Sequence, residues 1–332
     1  MSFSMRRDLR GSFADASVFG PVLSVVFLGV VAKAALVTGV IYVLFPELAA
    51  LSYDIFKRPE GTWARSPVML VITPAITATM GTALTHVMPY NLASVAITIA
   101  GAVLIVRWMR SPIVPAISAA FLPLVFGMTS WWYPASITAV LVFLALVSTV
   151  YGRLLALVDG RQASAPDVSA QVQKTQPAPS SKTSSRLLTF AAFLLAVYGV
   201  ATVTGLRLIL FPPLVVIAFE ELAHAHARQR PMRHVALLFV CTITASVGLA
   251  AFLALGAGPL SVVIALLVGV VTLRALKLHF PPALTIGLLP QIMQHPDWRF
   301  VLAVALGIGM LSGAVWLTRS RFLNQSAPLV AG

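Results

Sequence analysis

The sequence predicts an all-α polytopic membrane protein of about twelve transmembrane segments, arranged as two parallel repeats of six. Three observations carry this expectation. Hydrophobic residues make up 59% of the 332 and charged residues 10%, where soluble domains carry about 25% charged residues, and the mean hydropathy is +0.93. Apolar runs fill 17–158 and 187–318, and the stretch between them turns abruptly polar. The two apolar halves also match each other in register. A soluble function for most of the mass is excluded.

The basic N-terminal stretch MSFSMRRDLRGSF precedes a long apolar run without a convincing small-residue cleavage site, so 1–16 is expected as a retained cytoplasmic tail. Gly, Pro and charges divide the first half, 17–158, into segments 17–38, 41–56, 66–87, 92–109, 112–128 and 133–155. Residues 159–186, rich in Ser, Pro, Gln and Ala, cannot bury a core and are expected as a flexible cytoplasmic linker. The second half, 187–320, divides into 187–204, 207–223, 235–256, 259–276, 279–294 and 300–318, with 321–332 as a cytoplasmic tail. Several segments are near or below spanning length, so tilting, local thinning or partial spanning is expected.

The repeat is legible by hand. VTGVIYVLFPEL (37–48) lies over VTGLRLILFPPL (203–214) at an offset of 166, with seven of twelve positions identical. At an offset of 167, ITATMG (76–81) lies over ITASVG (243–248), Arg107 over Arg274, Pro115 over Pro282 and Pro123 over Pro290. Shared Pro, Gly and Arg weigh more than shared Leu or Ala in an apolar alphabet.

Charge sets the expected orientation, because cytoplasmic loops carry the Lys and Arg excess. With twelve crossings starting inside, Arg207 and Arg299 fall outside and Lys33 within a segment, which leaves twenty of the 23 basic residues on the cytoplasmic side. The bacterial plasma membrane is the expected location, with both termini cytoplasmic. The formal charge of +13 is therefore a topology signal, and no nucleic-acid motif accompanies it. Trp131, Trp132 and Tyr133 in the turn SWWYP suit an aromatic belt at the outer interface. Cys241 has no partner within the chain, so no disulfide or thiolate metal site forms there.

Candidate functional residues follow from what a bilayer penalises. Proline inside a spanning segment frees backbone groups that neighbours or water must satisfy, so the matched pairs Pro46 with Pro212, Pro115 with Pro282 and Pro123 with Pro290 mark interrupted segments. These either line a substrate path or are packing kinks. Asp54 and Glu220 are matched acids, and read as proton or cation-coupling groups or as solvated acids at a segment end. Arg107 and Arg274 precede the proline-headed segments, where a guanidinium beside a helix N-terminus can draw an anion or can simply mark topology. His279, replaced by Pro112 in the first half, could donate to a permeating anion, titrate near neutral pH or cap its segment. In FEELAHAHARQRP (219–231), Glu220 and His224 share a helical face, but the spacing is not that of a zincin site, and no metal or other cofactor is expected. Gly309 and Gly313 form GxxxG, expected to serve internal packing, or else pairing of two chains. No Walker loop, dinucleotide loop or clustered catalytic set is present, so an enzyme is not expected.

LFPPLVVIAFEELAHA, ITASVGLAAFLALG and LHFPPALTIGLLP resemble the HPP family of integral membrane proteins, named for a His-Pro-Pro signature near the start of a late transmembrane helix. The resemblance covers mainly 187–318 and enters 17–155 through the repeat; here Phe280 separates His279 from Pro281 and Pro282. Family members have been connected with nitrite transport in plastids and cyanobacteria. The resemblance therefore implies a transporter or channel for a small anion, with Arg107, Arg274, His279, Pro115 and Pro282 near its site between the halves. Duplicated six-segment halves joined by a soluble segment also look like the fusaric-acid-resistance exporters, which would imply organic acids as substrates. A membrane scaffold or assembly protein without a permeation path is the alternative from another class.

Overall fold

The computed structural model describes residues 16–159, 181–223 and 232–325, with side chains placed over 19–157, 185–223 and 235–318. The basic N-terminal tail, most of the linker, and His224 and His226 lie outside the described residues. Twelve α-helices and no strand occur among them: α1 (Ala16–Thr38), α2 (Leu48–Lys57), α3 (Pro67–Val87), α4 (Leu92–Trp108), α5 (Ala116–Phe126), α6 (Trp132–Asp159), α7 (Ser181–Thr204), α8 (Pro212–Ala218), α9 (Met232–Leu255), α10 (Pro259–Ala275), α11 (Pro282–Leu288) and α12 (Trp298–Gln325). Short 3₁₀ turns precede α2 and α8 and follow α11, and a π-helical turn, Phe219–Ala223, extends α8. The helix α7 begins at Ser181, inside the expected linker, and α12 continues past the expected boundary at 320.

Helices α1, α3, α6, α7, α9 and α12 each carry 20 to 26 residues apolar enough to cross a membrane. The protein is thus a membrane-embedded helical assembly. Helices α4 and α10, 17 residues each, reach about 25 Å. The remaining four have 10, 11, 7 and 7 residues, or ~10 to 17 Å, too short to cross ~30 Å of hydrocarbon as helices. Segments 41–56, 112–128, 207–223 and 279–294 are therefore not continuous helices; each is a short helix joined to turns.

Proline and glycine account for the breaks. Gly39 and Gly205 both take φ of +70° at the ends of α1 and α7, and Thr38 and Thr204 make the same turn there. Each threonine hydroxyl donates one turn back, to Ala34 and Val200, and accepts from the N–H two residues on, of Val40 and Leu206. Pro46 then separates the first 3₁₀ turn from α2, and Pro212 heads α8 after an extended Phe211, the conformation a following proline favours. Pro115 and Pro281 occupy the N-caps of α5 and α11.

Every described residue of α8 and α11 is buried, as are Leu48–Phe56 of α2 and Ala116–Val125 of α5. The four interrupted helices form the centre and the longer ones wrap them. Helix α3 runs along α5, and α9 along α11; α1 covers α2 and also touches α10. Across the middle, α2 packs on α11 and α8 packs on α5, so each half seats its short helices on the other.

Close contacts recur at the same offset. A Cβ on Gly81 would overlap the carbonyl of Ala120, and a Cβ on Gly248 would overlap the carbonyl of Gly287, 167 residues later in both partners. The hydroxyls of Thr77 and Thr244 donate to carbonyls three and four residues back. After α4 and α10 the chain turns through Arg110 and Lys277, both non-glycine residues at positive φ, 50° and 51°. The N–H of Ser111 then reaches the carbonyl of Val106, and that of Leu278 the carbonyl of Leu273, the six-to-one bond of a Schellman cap.

Two expectations are corrected. A Cβ on Gly309 or Gly313 would meet no heavy atom within 4 Å, so GxxxG packs against nothing inside the described fold; Gly307 is the tight glycine of α12, where a Cβ would lie 2.7 Å from the Ile209 carbonyl. Trp131 and Trp132 are exposed at a helix end, as a belt requires, but Tyr133 is buried. Its partner is described below.

Gly81→Ala and Gly248→Ala are expected to lower stability by about 1–3 kcal/mol each, through overpacking against backbone that has nowhere to move. Gly309→Ala should leave stability unchanged or raise it by up to ~1 kcal/mol. Thermal unfolding of the purified variants in one detergent checks this.

Candidate functional site

Arg58, Arg107, Arg110, Arg274 and Lys277 lie at or just beyond the C-terminal ends of α2, α4 and α10, here termed the basic face; Arg207 lies in the 3₁₀ turn before α8 and Arg299 at the start of α12, here termed the opposite face. The polar features on the inside of the fold fall at three levels between them.

At the centre stands Glu47, directly after Pro46 and directly before α2, with 2% of its surface exposed. It does not cap α2. The Ser118 hydroxyl of α5 donates to its Oε1, and Oε2 is buried without a hydrogen-bond partner. Thr285 of α11, the register counterpart of Ser118, also buries an unpartnered hydroxyl. One step away, Tyr133 of α6 donates to the carbonyl of Ala119 at 2.9 Å. That carbonyl lies four residues before Pro123, which has no N–H to offer it. Tyr133 thus supplies the missing donor, which explains why it turns inward from the belt. In α11 the corresponding proline, Pro290, is handled differently: Phe300 stands where Tyr133 does, and the chain tightens into the 3₁₀ turn Leu289–Gln291.

Toward the basic face, Asp54 is buried one turn from the end of α2. Arg58 of the same helix bonds its Oδ1, and His279 Nε2 lies 2.8 Å from the same oxygen. Asp54 and Arg58 belong to the first half and His279 to the second. The imidazole also stacks on Tyr53, with centroids 6.0 Å apart, and Lys57 Nζ reaches the Tyr53 hydroxyl at 3.0 Å. His279 is therefore neither a free donor nor a simple cap: it joins the halves at this face. Nearby, Trp63 Nε1 donates to the carbonyl of Pro112, the register counterpart of His279.

At the opposite face Arg207 crosses between halves in the other sense. Its guanidinium carbon lies 3.7 Å from the Tyr90 ring centroid, and Nη2 donates at 2.7 Å to the carbonyl of Leu124, near the end of α5. Burial pushes the Tyr90 hydroxyl above the usual tyrosine range. A cation on the last carbonyls of a helix also meets the negative end of its dipole. His86 stacks on Trp131 at this face, 5.4 Å between centroids.

The structure brings together part of the expected set. Pro115 and Pro282 head buried helices of the centre, and His279 contacts Asp54. Arg107 and Arg274 are exposed at the ends of α4 and α10, away from the buried centre. Glu220 is half-buried in the π-helical turn, unlike its fully buried counterpart Asp54. Lys33 is exposed on α1. A shallow pocket of about 380 Å³, lined by Thr38, Val43, Trp132 and Ser136 among others, opens between α1 and α6. No family model, curated protein or solved structure matches the chain.

Two residues of the site, Glu47 at the centre and Arg207 at the opposite face, carried no site expectation from sequence. Glu47 had a signal, an acid beside a matched proline in mid-segment. Arg207 was counted as an external charge, although its position, opposite Ile41 in the first repeat, already marked it as private to one copy.

Asp54→Asn should destabilise the protein by about 1–3 kcal/mol, since it removes the buried negative charge that two partly exposed donors share and leaves them only a neutral amide oxygen. His279→Ala should cost less. A double-mutant cycle for this pair is expected to return a coupling of about 1 kcal/mol; additive losses would mean that the contact contributes no binding between the halves.

Proposed function

We propose that the protein is a transporter for a small anion, nitrite-like by its resemblance to the HPP family, built as two parallel six-segment repeats that cross the membrane twelve times. The observation that carries this is the reciprocal seating of the broken helices, α2 on α11 and α8 on α5. Interrupted helices that meet near mid-membrane at a repeat interface are the common setting of transporter sites. Twelve crossings are supported by the match between chain connectivity and contacts: Asp54 with His279 at the basic face, Arg207 with Leu124 at the other. The basic face is the cytoplasmic one on charge grounds.

The two cross-repeat contacts sit at opposite ends of the central helices and are made by different chemistry. In this proposal they act as alternating closures, and opening the path at one face requires breaking only that face's contact. Both carry a cationic or protonatable side chain of the second half, Arg207 or His279, which a permeating anion can engage once its present partner is released. Arg107 and Arg274, exposed at the cytoplasmic rim, raise the local anion concentration rather than bind within the path. The full packing of the four central helices favours a second reading, a membrane scaffold with no path.

Reconstituted vesicles separate these. Nitrite uptake above that of empty liposomes is expected, falling about tenfold or more in Arg207→Gln, with Arg107→Gln and Arg274→Gln retaining most of the rate at high salt. Uptake confined to aromatic carboxylates would reassign the substrate to organic acids, and uptake equal to empty liposomes for every anion across pH gradients would leave the scaffold.

A further inference from the structure

We propose that Glu47, held by Ser118 at the start of α2, is a proton-binding site, and that anion movement through this protein is coupled to the proton it carries. The second clause rests on the transport proposal above; the first stands on geometry alone.

The carboxyl is not there for the fold. In the second copy Pro213 occupies the matched position, yet the backbone makes the same turn: Leu48 N–H bonds Phe45 and Leu214 N–H bonds Phe211, at 3.0 and 2.9 Å. The Glu47 side chain caps no helix, and its packing role could be met by an apolar residue at lower cost, since burying a carboxyl is unfavourable unless its oxygens are satisfied. One oxygen is satisfied by Ser118 and the other is not. Thr285 shows the converse, a matched hydroxyl in the copy that has no acid.

The ligand that fits is a proton. Divalent cations demand about six or more oxygen ligands, whereas one carboxyl and one hydroxyl, already turned to donate, are on offer here. A proton from the aqueous side forms an O–H bond at Oε2, converting carboxylate to carboxylic acid with no redox change and no leaving group. Among the described residues, the surroundings supply no competing charge. Helices α5, α8 and α11 contain no ionisable residue, and Lys33 of α1 is exposed on the outside. The titratable neighbour from α6 is Tyr133, whose hydroxyl is committed to Ala119. Further along α2, Asp54 is engaged by Arg58 and His279. Glu47 therefore lies between the two cross-repeat contacts, where a proton bound from one face can be released to the other.

Infrared difference spectra of the purified protein between acidic and alkaline pH test the site. A protonated-carboxyl band that titrates in the wild type and disappears in Glu47→Gln is expected, with the pH midpoint moved by about one unit in Ser118→Ala, which removes one hydrogen bond to the carboxyl. An identical band in Glu47→Gln overturns the site. If that variant does not fold, Glu47→Asp replaces it, and an unchanged band and midpoint then overturn the site equally. Coupling is read in vesicles: an imposed proton gradient should drive nitrite accumulation in the wild type, and Glu47→Gln should lose at least about tenfold of that accumulation. Equal accumulation in wild type and Glu47→Gln overturns the coupling. Absence of wild-type flux defeats the transport proposal, and the infrared result still decides whether Glu47 binds a proton.

Discussion

Away from water, each backbone N–H and C=O must find a partner inside the protein, and a failure costs several kcal/mol. The long helices meet this requirement within themselves. The four short ones cannot, because prolines and helix ends release carbonyls at the centre of the fold and toward both of its faces, and side chains of neighbouring elements reach those carbonyls. Tyr133 covers Ala119, Arg207 covers Leu124 and Trp63 covers Pro112. The packing that surrounds them follows: a short helix that depends on a neighbour's side chain has to be enclosed by that neighbour. Gly81 and Gly248 let the enclosing helices approach backbone to backbone.

The two halves that match in register meet this requirement with different residues. Glu47 faces Pro213 in the alignment, Pro112 faces His279, Ile41 faces Arg207 and Tyr133 faces Phe300. What the halves share is scaffold: glycine turns, threonine back-bonds, Schellman caps, proline breaks. What they do not share is nearly all the chemistry. A frame shared in register but carrying unlike polar residues leaves the two ends of the fold chemically unlike.

Much of the frame was legible in the sequence because its signals are local. Gly39, Pro46, Pro115 and Pro282 act on their own backbone, so the breaks fall where the sequence punctuates the chain, while the short helices fill only part of their expected segments; the glycine and threonine contacts recur at the offset of 167. Pairing between distant positions left no such trace. Nothing local in a histidine at the head of an apolar run says that it meets an aspartate 225 residues earlier. Hydropathy cannot separate a short buried helix flanked by turns from a continuous helix, so it did not show that the α-helices of 41–56 and 279–294 cover only Leu48–Lys57 and Pro282–Leu288. Tyr133 was misread for a related reason: its neighbours Trp131 and Trp132 follow the belt rule, and the demand that turns it inward comes from Pro123, ten residues away.

The central contacts also set an order of assembly. Glu47 finds Ser118 within the first half, but Asp54 waits for His279 and α5 waits for α8, so during synthesis the first repeat is inserted with one flank bare. That flank contains a buried acid and the proline-broken ends of two helices, which are costly to leave against lipid. The first half therefore resembles an unfinished subunit more than a finished domain.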